Sequence, residues 1–142
     1  MNNGINVEEK KKRKLTAGDL KQKIFAAKDT ELEKMEISEW QVDIWIKPLT
    51  YDERNRALEA SSMSVNPDND TVNAEQIKAF HMAILIAGVR DSEGNAVFSK
   101  EDITRLADKS SGVLDRIATR ITELSGFGEE VKERVKARFR RR

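Results

Sequence analysis

Asn73-Ala74-Glu75-Gln76-Ile77-Lys78-Ala79-Phe80-His81-Met82-Ala83-Ile84-Leu85-Ile86-Ala87-Gly88 is the most apolar stretch of the chain, and its spacing decides the fold. Ile77, Phe80, His81, Ile84, Leu85 and Gly88 recur every three or four positions, which places them along one side of an α-helix, and Met82 and Ile86 widen the stripe. Asn73 with Gln76 three residues on forms a capping pair at its start. A helix this apolar is buried by other elements, so it forms the centre of a core.

On its C-terminal side, Gly88-Val89-Arg90-Asp91, Ser92-Glu93-Gly94-Asn95 and Ala96-Val97-Phe98 read as strand, tight turn and strand, with Gly94 able to take a positive φ. Ser99 with Asp102 caps a helix over residues 100 to 108. Val113, Leu114, Ile117, Ile121 and Leu124 then repeat at helical spacing, and Ser125-Gly126-Phe127-Gly128 ends that helix. Beyond it, residues 129 to 142 place Val131, Val135 and Phe139 at i, i+4 and i+8 among Lys and Arg, the pattern of a basic amphipathic helix.

On the N-terminal side, residues 61 to 71 are turn formers, and Pro67 forbids a helix through them. Their Asp and Asn lack the Gly and Glu spacing of a calcium loop. Thr50-Tyr51-Asp52-Glu53 is a capping box opening a helix to about Met63. From Lys34 to Lys47 the period changes to two: Trp40, Val42, Ile44 and Ile46 share one strand face, and Gln41, Asp43, Trp45 and Lys47 the other. Pro48 ends this strand, and Met35-Glu36-Ile37 pairs with it through Ser38-Glu39. Thr16 with Asp19 caps a short helix to about Lys28, whose narrow stripe of Leu20, Ile24 and Phe25 needs a partner surface. Residues 1–14 have no periodic apolar positions and read as a flexible arm.

The expected fold is therefore mainly α with a small antiparallel β element, an α+β class. It is a single compact helical domain over residues 15–126 with one or two β-hairpins, followed by the basic segment 127–142. Ile77, Phe80, Ile84, Leu85, Leu106, Leu114, Ile117 and Ile121 are its expected core, and Val42, Ile44 and Ile46 carry the sheet.

A chain of 142 residues, 38% hydrophobic and 36% charged, has enough apolar side chains for one modest core. It contains no cysteine, which excludes a disulfide framework and a thiolate nucleophile and fits a reducing compartment. No apolar run is long enough to cross a bilayer, and the N-terminal basic residues lack the apolar segment of a secretory signal, so a cytosolic protein is expected. The formal net charge of +1 hides an uneven layout. Residues 8 to 14 hold five basic and two acidic side chains, residues 129 to 142 hold seven and three, and the acidic excess lies between them. Such a layout can draw the ends of one copy to the body of another, or attract an acidic partner.

The single histidine, His81, lies on the apolar core helix with no nucleophile or carboxylate supplied nearby in sequence, and it reads as a core residue. Phosphate loops, nucleophile elbows and metal-binding helix motifs are missing, and Glu101, Asp102, Glu129 and Glu130 fit the first turns of helices. Neither an enzyme nor a cofactor is expected. Nucleic acid is an unlikely partner for an acidic body without a zinc-finger, RNA-recognition or helix-turn-helix signature, despite the terminal Arg138-Phe139-Arg140-Arg141-Arg142.

Three segments in order carry a resemblance. They are Trp40-Gln41-Val42-Asp43-Ile44-Trp45-Ile46-Lys47-Pro48-Leu49-Thr50-Tyr51-Asp52-Glu53-Arg54-Asn55-Arg56, then Ala87-Gly88-Val89-Arg90-Asp91-Ser92-Glu93-Gly94-Asn95-Ala96-Val97-Phe98-Ser99, then Leu106-Ala107-Asp108-Lys109-Ser110 leading to Val113-Leu114-Asp115-Arg116-Ile117 and Leu124-Ser125-Gly126. Across residues 15–126 the chain resembles the tail assembly chaperones of long-tailed bacteriophages and prophages. The resemblance implies a non-enzymatic helper in the host cytoplasm, absent from the mature virion. It would coat or escort the tape-measure protein and help recruit tail-tube protein around it. A structural tail component kept in the particle and a small nucleic-acid-binding regulator stand as alternatives.

The candidate protein-binding residues follow from polarity alone. Trp45 is a large aromatic on the polar strand face, which marks a contact for a partner, or a second copy in a homo-oligomer, unless the chain itself covers it. Val131, Val135 and Phe139 form an apolar stripe, and Arg134 and Arg138 are beside it to meet acidic surface. This segment can dock on its own chain, on another copy or on the tape-measure protein.

Overall fold

The computed structural model describes residues 14–62 and 73–127. In chain order the elements are α1 (Ala17–Ala26), β1 (Glu33–Ile37), β2 (Val42–Ile46), α2 (Tyr51–Ala60), α3 (Ala74–Gly88), β3 (Val89–Arg90), α4 (Ile103–Leu106) and α5 (Ser111–Leu124), with single 3-10 turns at Ser38–Trp40 and Lys100–Asp102. The fold is α+β, as the hydrophobic periods require. Capping boxes start three of the helices: Thr16 with Asp19 for α1, Thr50 with Glu53 for α2, and Asn73 with Gln76 for α3. Gly126, at φ 65°, follows the end of α5 in the left-handed conformation that terminates helices.

The sheet is antiparallel in the order β1-β2-β3. Glu33 pairs with Ile46 and Ile37 with Val42, so Met35, Ile37, Ile44, Ile46 and Val89 share one face. Ile37, Ile46 and Val89 are buried in the core, and Met35 and Ile44 pack against it. Two expectations change here. Trp40 lies in the 3-10 turn and not in the strand, and Val42 is 48% exposed although Ile37, its cross-strand partner, is fully buried. The expected second hairpin is reduced to one bridge, Arg90 to Ala96. Its first strand pairs instead with β2, because Val89 comes straight off the core helix next to Ile46. The turn survives: the Asp91 side chain accepts hydrogen bonds from the Glu93 and Asn95 amides, and Gly94 takes φ 89°. The helix expected over residues 100 to 108 is a 3-10 turn followed by a single short α segment.

All eight residues expected in the core are buried. Phe80, Ile84 and Leu85 of α3 meet Val113, Leu114, Ile117 and Ile121 of α5, and Phe127 packs edge-on against Phe80 at 5.4 Å between ring centres. The closest approach is at Gly88, where an added Cβ would lie 2.7 Å from Ile121 Cδ1 and 3.0 Å from its Cγ2. The chain after Pro48 is tied to the far end of α5 by the Leu49 amide, which donates to Ser125 Oγ at 2.9 Å.

Two outcomes test this core by thermal or denaturant unfolding. Leu85→Ala removes a fully buried side chain and is expected to cost about 2–5 kcal/mol; an unchanged melting temperature would refute the core assignment. Gly88→Ala is expected to cost about 1–3 kcal/mol through overpacking against Ile121. Ile121→Val takes away the nearest methyl, so the double variant should recover part of that loss beyond additivity.

Candidate partner-binding surface

With one sheet face committed to the helices, the other carries Lys34, Glu36, Asp43, Trp45, Lys47 and Arg90. Trp45 is on the central strand, directly opposite Lys34 on one side and Arg90 on the other. Residues paired across strands on one face are close neighbours, so the half-buried Trp45 has a cationic residue at the paired position on each neighbouring strand. Arg90 is fixed there. Its Nε and Nη2 donate to the Ala87 carbonyl at 3.1 and 2.8 Å, its Nη1 donates to the Gly94 carbonyl at 3.3 Å, and Nη2 lies 3.8 Å from Glu53.

Glu53 does double work. It caps α2 by accepting from the Thr50 amide at 2.9 Å, and it accepts from Lys47 Nζ in an ion pair. Burial pushes its carboxyl up, but the Lys47 and Thr50 hydrogen bonds outweigh burial and leave it below the ordinary carboxylate value. On the other side of Trp45, Lys34 pairs with Asp43 at 3.5 Å in a largely exposed contact. The result is a polar face with one half-buried aromatic among charged side chains, a surface suited to a protein partner.

β1 and the 3-10 turn after it are held to α5 by two bidentate Arg-Glu pairs. Arg116 donates to both Glu39 oxygens at 2.9 and 2.7 Å, and Arg120 donates to both Glu33 oxygens at 2.7 Å and to Glu123 at 3.2 Å. The hydrogen bond from Arg116 holds the Glu39 carboxyl down at about 2, and that from Arg120 lowers Glu33. A groove of about 520 Å³ runs beside these clamps, lined by Glu33, Met35, Gly112, Thr119 and the two arginines among others.

A second groove, of about 320 Å³, lies between α3 and α5, lined by Ile77, Met82, Leu85 and Leu114 together with Lys78 and Lys109 among others. His81 and Asp115 also border it, with Nδ1 3.6 Å from Oδ1. The sequence did not pair them, because they lie on helices separated by the whole of the segment between α3 and α5. His81 is 93% buried, as a core histidine should be. Among the described residues no group of three or more His, Asp or Glu side chains could hold a metal ion, and no helix is long and apolar enough to cross a membrane.

Of the residues singled out in sequence, Trp45 is half-buried on the sheet's outer face, whereas Val131, Arg134, Val135, Arg138 and Phe139 lie outside the described residues. The feature least weighted from sequence is α1. None of its residues is buried, and Leu20, Ile24 and Phe25 are 45%, 64% and 78% exposed. The signal was present in the unmatched apolar stripe of a charged segment.

Comparison of the whole fold with solved structures finds the tail assembly chaperone of bacteriophage HK97, with a TM-score of 0.51 at 17% identity over 67% of this chain and 85% of that one. The two chains share a fold. No family model matches the chain, and no curated protein matches its sequence. The fold likeness, found independently of sequence similarity, joins the order of motifs from Trp40 to Gly126.

The clamps set a pH dependence. Glu39 titrates from its ordinary 4.5 down to about 2 on folding, so its contribution to stability is complete above pH 4.5 and is lost as the pH falls towards 2. Glu33 shifts in the same direction. In thermal melts from pH 6 to about pH 2, the Glu33→Gln/Glu39→Gln variant should start below wild type and converge on it at the acid end. A constant gap would mean that the pairs contribute nothing through ionisation.

Proposed function

We propose that this chain is a non-enzymatic tail assembly chaperone that binds a tape-measure protein and helps recruit tail-tube subunits around it, acting in the host cytoplasm and leaving before the particle is complete. The fold shared with the bacteriophage HK97 tail assembly chaperone is the observation that carries this reading. The outer sheet face, the two grooves and the exposed stripe of α1 support it, since each offers contact area to a protein. In this reading Trp45 and its flanking Lys34 and Arg90 form one contact. Val131, Val135 and Phe139 insert into an apolar groove while Arg134 and Arg138 meet acidic side chains, of the tape-measure protein or of another copy. A tail-tube gene upstream and a very long coiled-coil gene downstream would be the matching gene order.

The test is co-expression with the tape-measure protein and capture of the complex. Capture is expected with wild type, and its absence across a range of salt would defeat the proposal. Presence of the chain in purified virions would instead favour a retained tail component, and salt-dependent DNA binding a regulator. Deletion of residues 129–142 should weaken capture while leaving the melting temperature of the core in place; an equal loss of stability would mean that the segment packs on its own chain. In a Trp40→Phe background, Trp45 fluorescence should become protected from solvent quencher when the tape-measure protein is added. Unchanged quenching would remove Trp45 from the contact.

A further inference from the structure

Most cations of the body are already matched, and those that are not are gathered in one place. Residues 29 to 127 hold nineteen acidic and eleven basic side chains. Of the eleven, Lys34, Lys47, Arg56, Arg90, Arg116 and Arg120 are in ion pairs with carboxylates, and Arg54 lies over the Tyr51 ring at 5.1 Å. Among the described residues the remaining four, Lys78, Lys100, Arg105 and Lys109, are exposed and make no ion pair. Lys78, Arg105 and Lys109 all line clefts. An acidic body that keeps three cations unmatched at one site attracts negative charge there.

The clefts themselves are apolar at the bottom. In the α3–α5 groove Ile77, Met82 and Leu114 lie below Lys78 and Lys109. A smaller cleft, of about 220 Å³, is lined by Val97, Phe98 and Leu106 with Arg105 and Lys109. Lys109 borders both, so the two clefts are neighbours with a cation between them. Asp102 and Asp115 also line them, but both are engaged: Asp102 accepts from the Ser99 amide at 2.8 Å, and Asp115 faces His81 at 3.6 Å. Ile77, Met82, Leu106 and Leu114 are each 7% exposed or less, so the clefts are notches for single inserted side chains and not broad faces.

We propose that this double cleft holds an acidic amphipathic helix of the protein partner, a placement that rests on the chaperone reading above and names the surface and the chemistry of the captured segment. Apolar anchors on one face of that helix enter the two notches, and Asp or Glu beside them meet Lys78, Arg105 and Lys109. A nucleic acid would answer the cations but would leave the apolar floors unused. A basic segment is repelled by the same three side chains.

The probe is a labelled, end-blocked synthetic helix of about 20 residues with Leu on one face and Glu beside it. Its twin carries Lys for Glu, and a third peptide has the Leu positions scattered. By fluorescence anisotropy the purified full chain should bind the Glu helix at least about tenfold more tightly than either. Lys78→Glu/Lys109→Glu should reverse the preference between the Glu and Lys helices, and Arg105→Glu alone should reduce it. Val97→Asp, at an exposed position, should weaken the Glu helix about fivefold with the melting temperature unchanged. The control Lys21→Glu/Lys23→Glu makes the same change in net charge on α1 and should leave the preference as it is. Four results would overturn the proposal: equal affinity for the Glu and Lys helices, no loss on scattering Leu, an equal effect of the α1 control, or a single-stranded oligonucleotide bound as tightly through the same lysines. Co-expression with the tape-measure protein separates this surface from the chaperone reading. Capture undiminished by Lys78→Glu/Lys109→Glu would overturn the surface and leave that reading standing, whereas no capture even by wild type would end both.

Discussion

The contact of α3 with α5 is the constraint on which the rest of the molecule depends. Gly88 lies so close to Ile121 that a methyl group would collide with it, and the helices hold the register that lets Phe80, Ile84 and Leu85 meet Val113, Leu114, Ile117 and Ile121. The position of β3 follows from this contact. Val89 begins where α3 ends, and its place beside Ile46 on β2 fixes how the sheet closes over the helix pair. The Arg116 and Arg120 clamps, which bind the β1–β2 hairpin to α5, are then the outer edge of the same layer and not a separate interaction. Being half-exposed, they set orientation and pH response more than total stability.

Much of this was legible in the chain because α3 and α5 have strong helical periods and good caps. Ile77, Phe80, Ile84, Leu85, Leu106, Leu114, Ile117 and Ile121 could all be assigned to the core from spacing alone, and all are buried. What spacing cannot encode is which strand finds which. Residues 88 to 98 have the composition of a hairpin, but only the Arg90 to Ala96 bridge forms, since Val89 gains a buried partner in Ile46 while Val97 would gain none and is 47% exposed. Val42 misleads in another way: period two gives it the same face as Ile37, which is fully buried, yet Val42 itself is 48% exposed. Long-range polar pairs such as Glu39 with Arg116 and His81 with Asp115 leave no local trace, because Asp, Glu and Arg are common on any surface.

The candidate binding features divide in the same way. Alternation was enough to put Trp45 on the polar face, but not to show that Arg90 is pinned opposite it by two backbone carbonyls and Glu53. A guanidinium held in this way loses little conformational entropy when a partner covers it. α1 is the opposite case. Its stripe was plain in the sequence, and only the fold shows that none of the described elements buries it.

These two features call for different partners. The Trp45 patch is polar, with Lys34, Lys47 and Arg90 held in ion pairs, so it is stable in water whether or not it is covered, and it suits a contact that forms and dissolves. α1 is not satisfied in the same way: isolated, it combines marginal helicity with exposed apolar area, and both costs are relieved by burial against a groove.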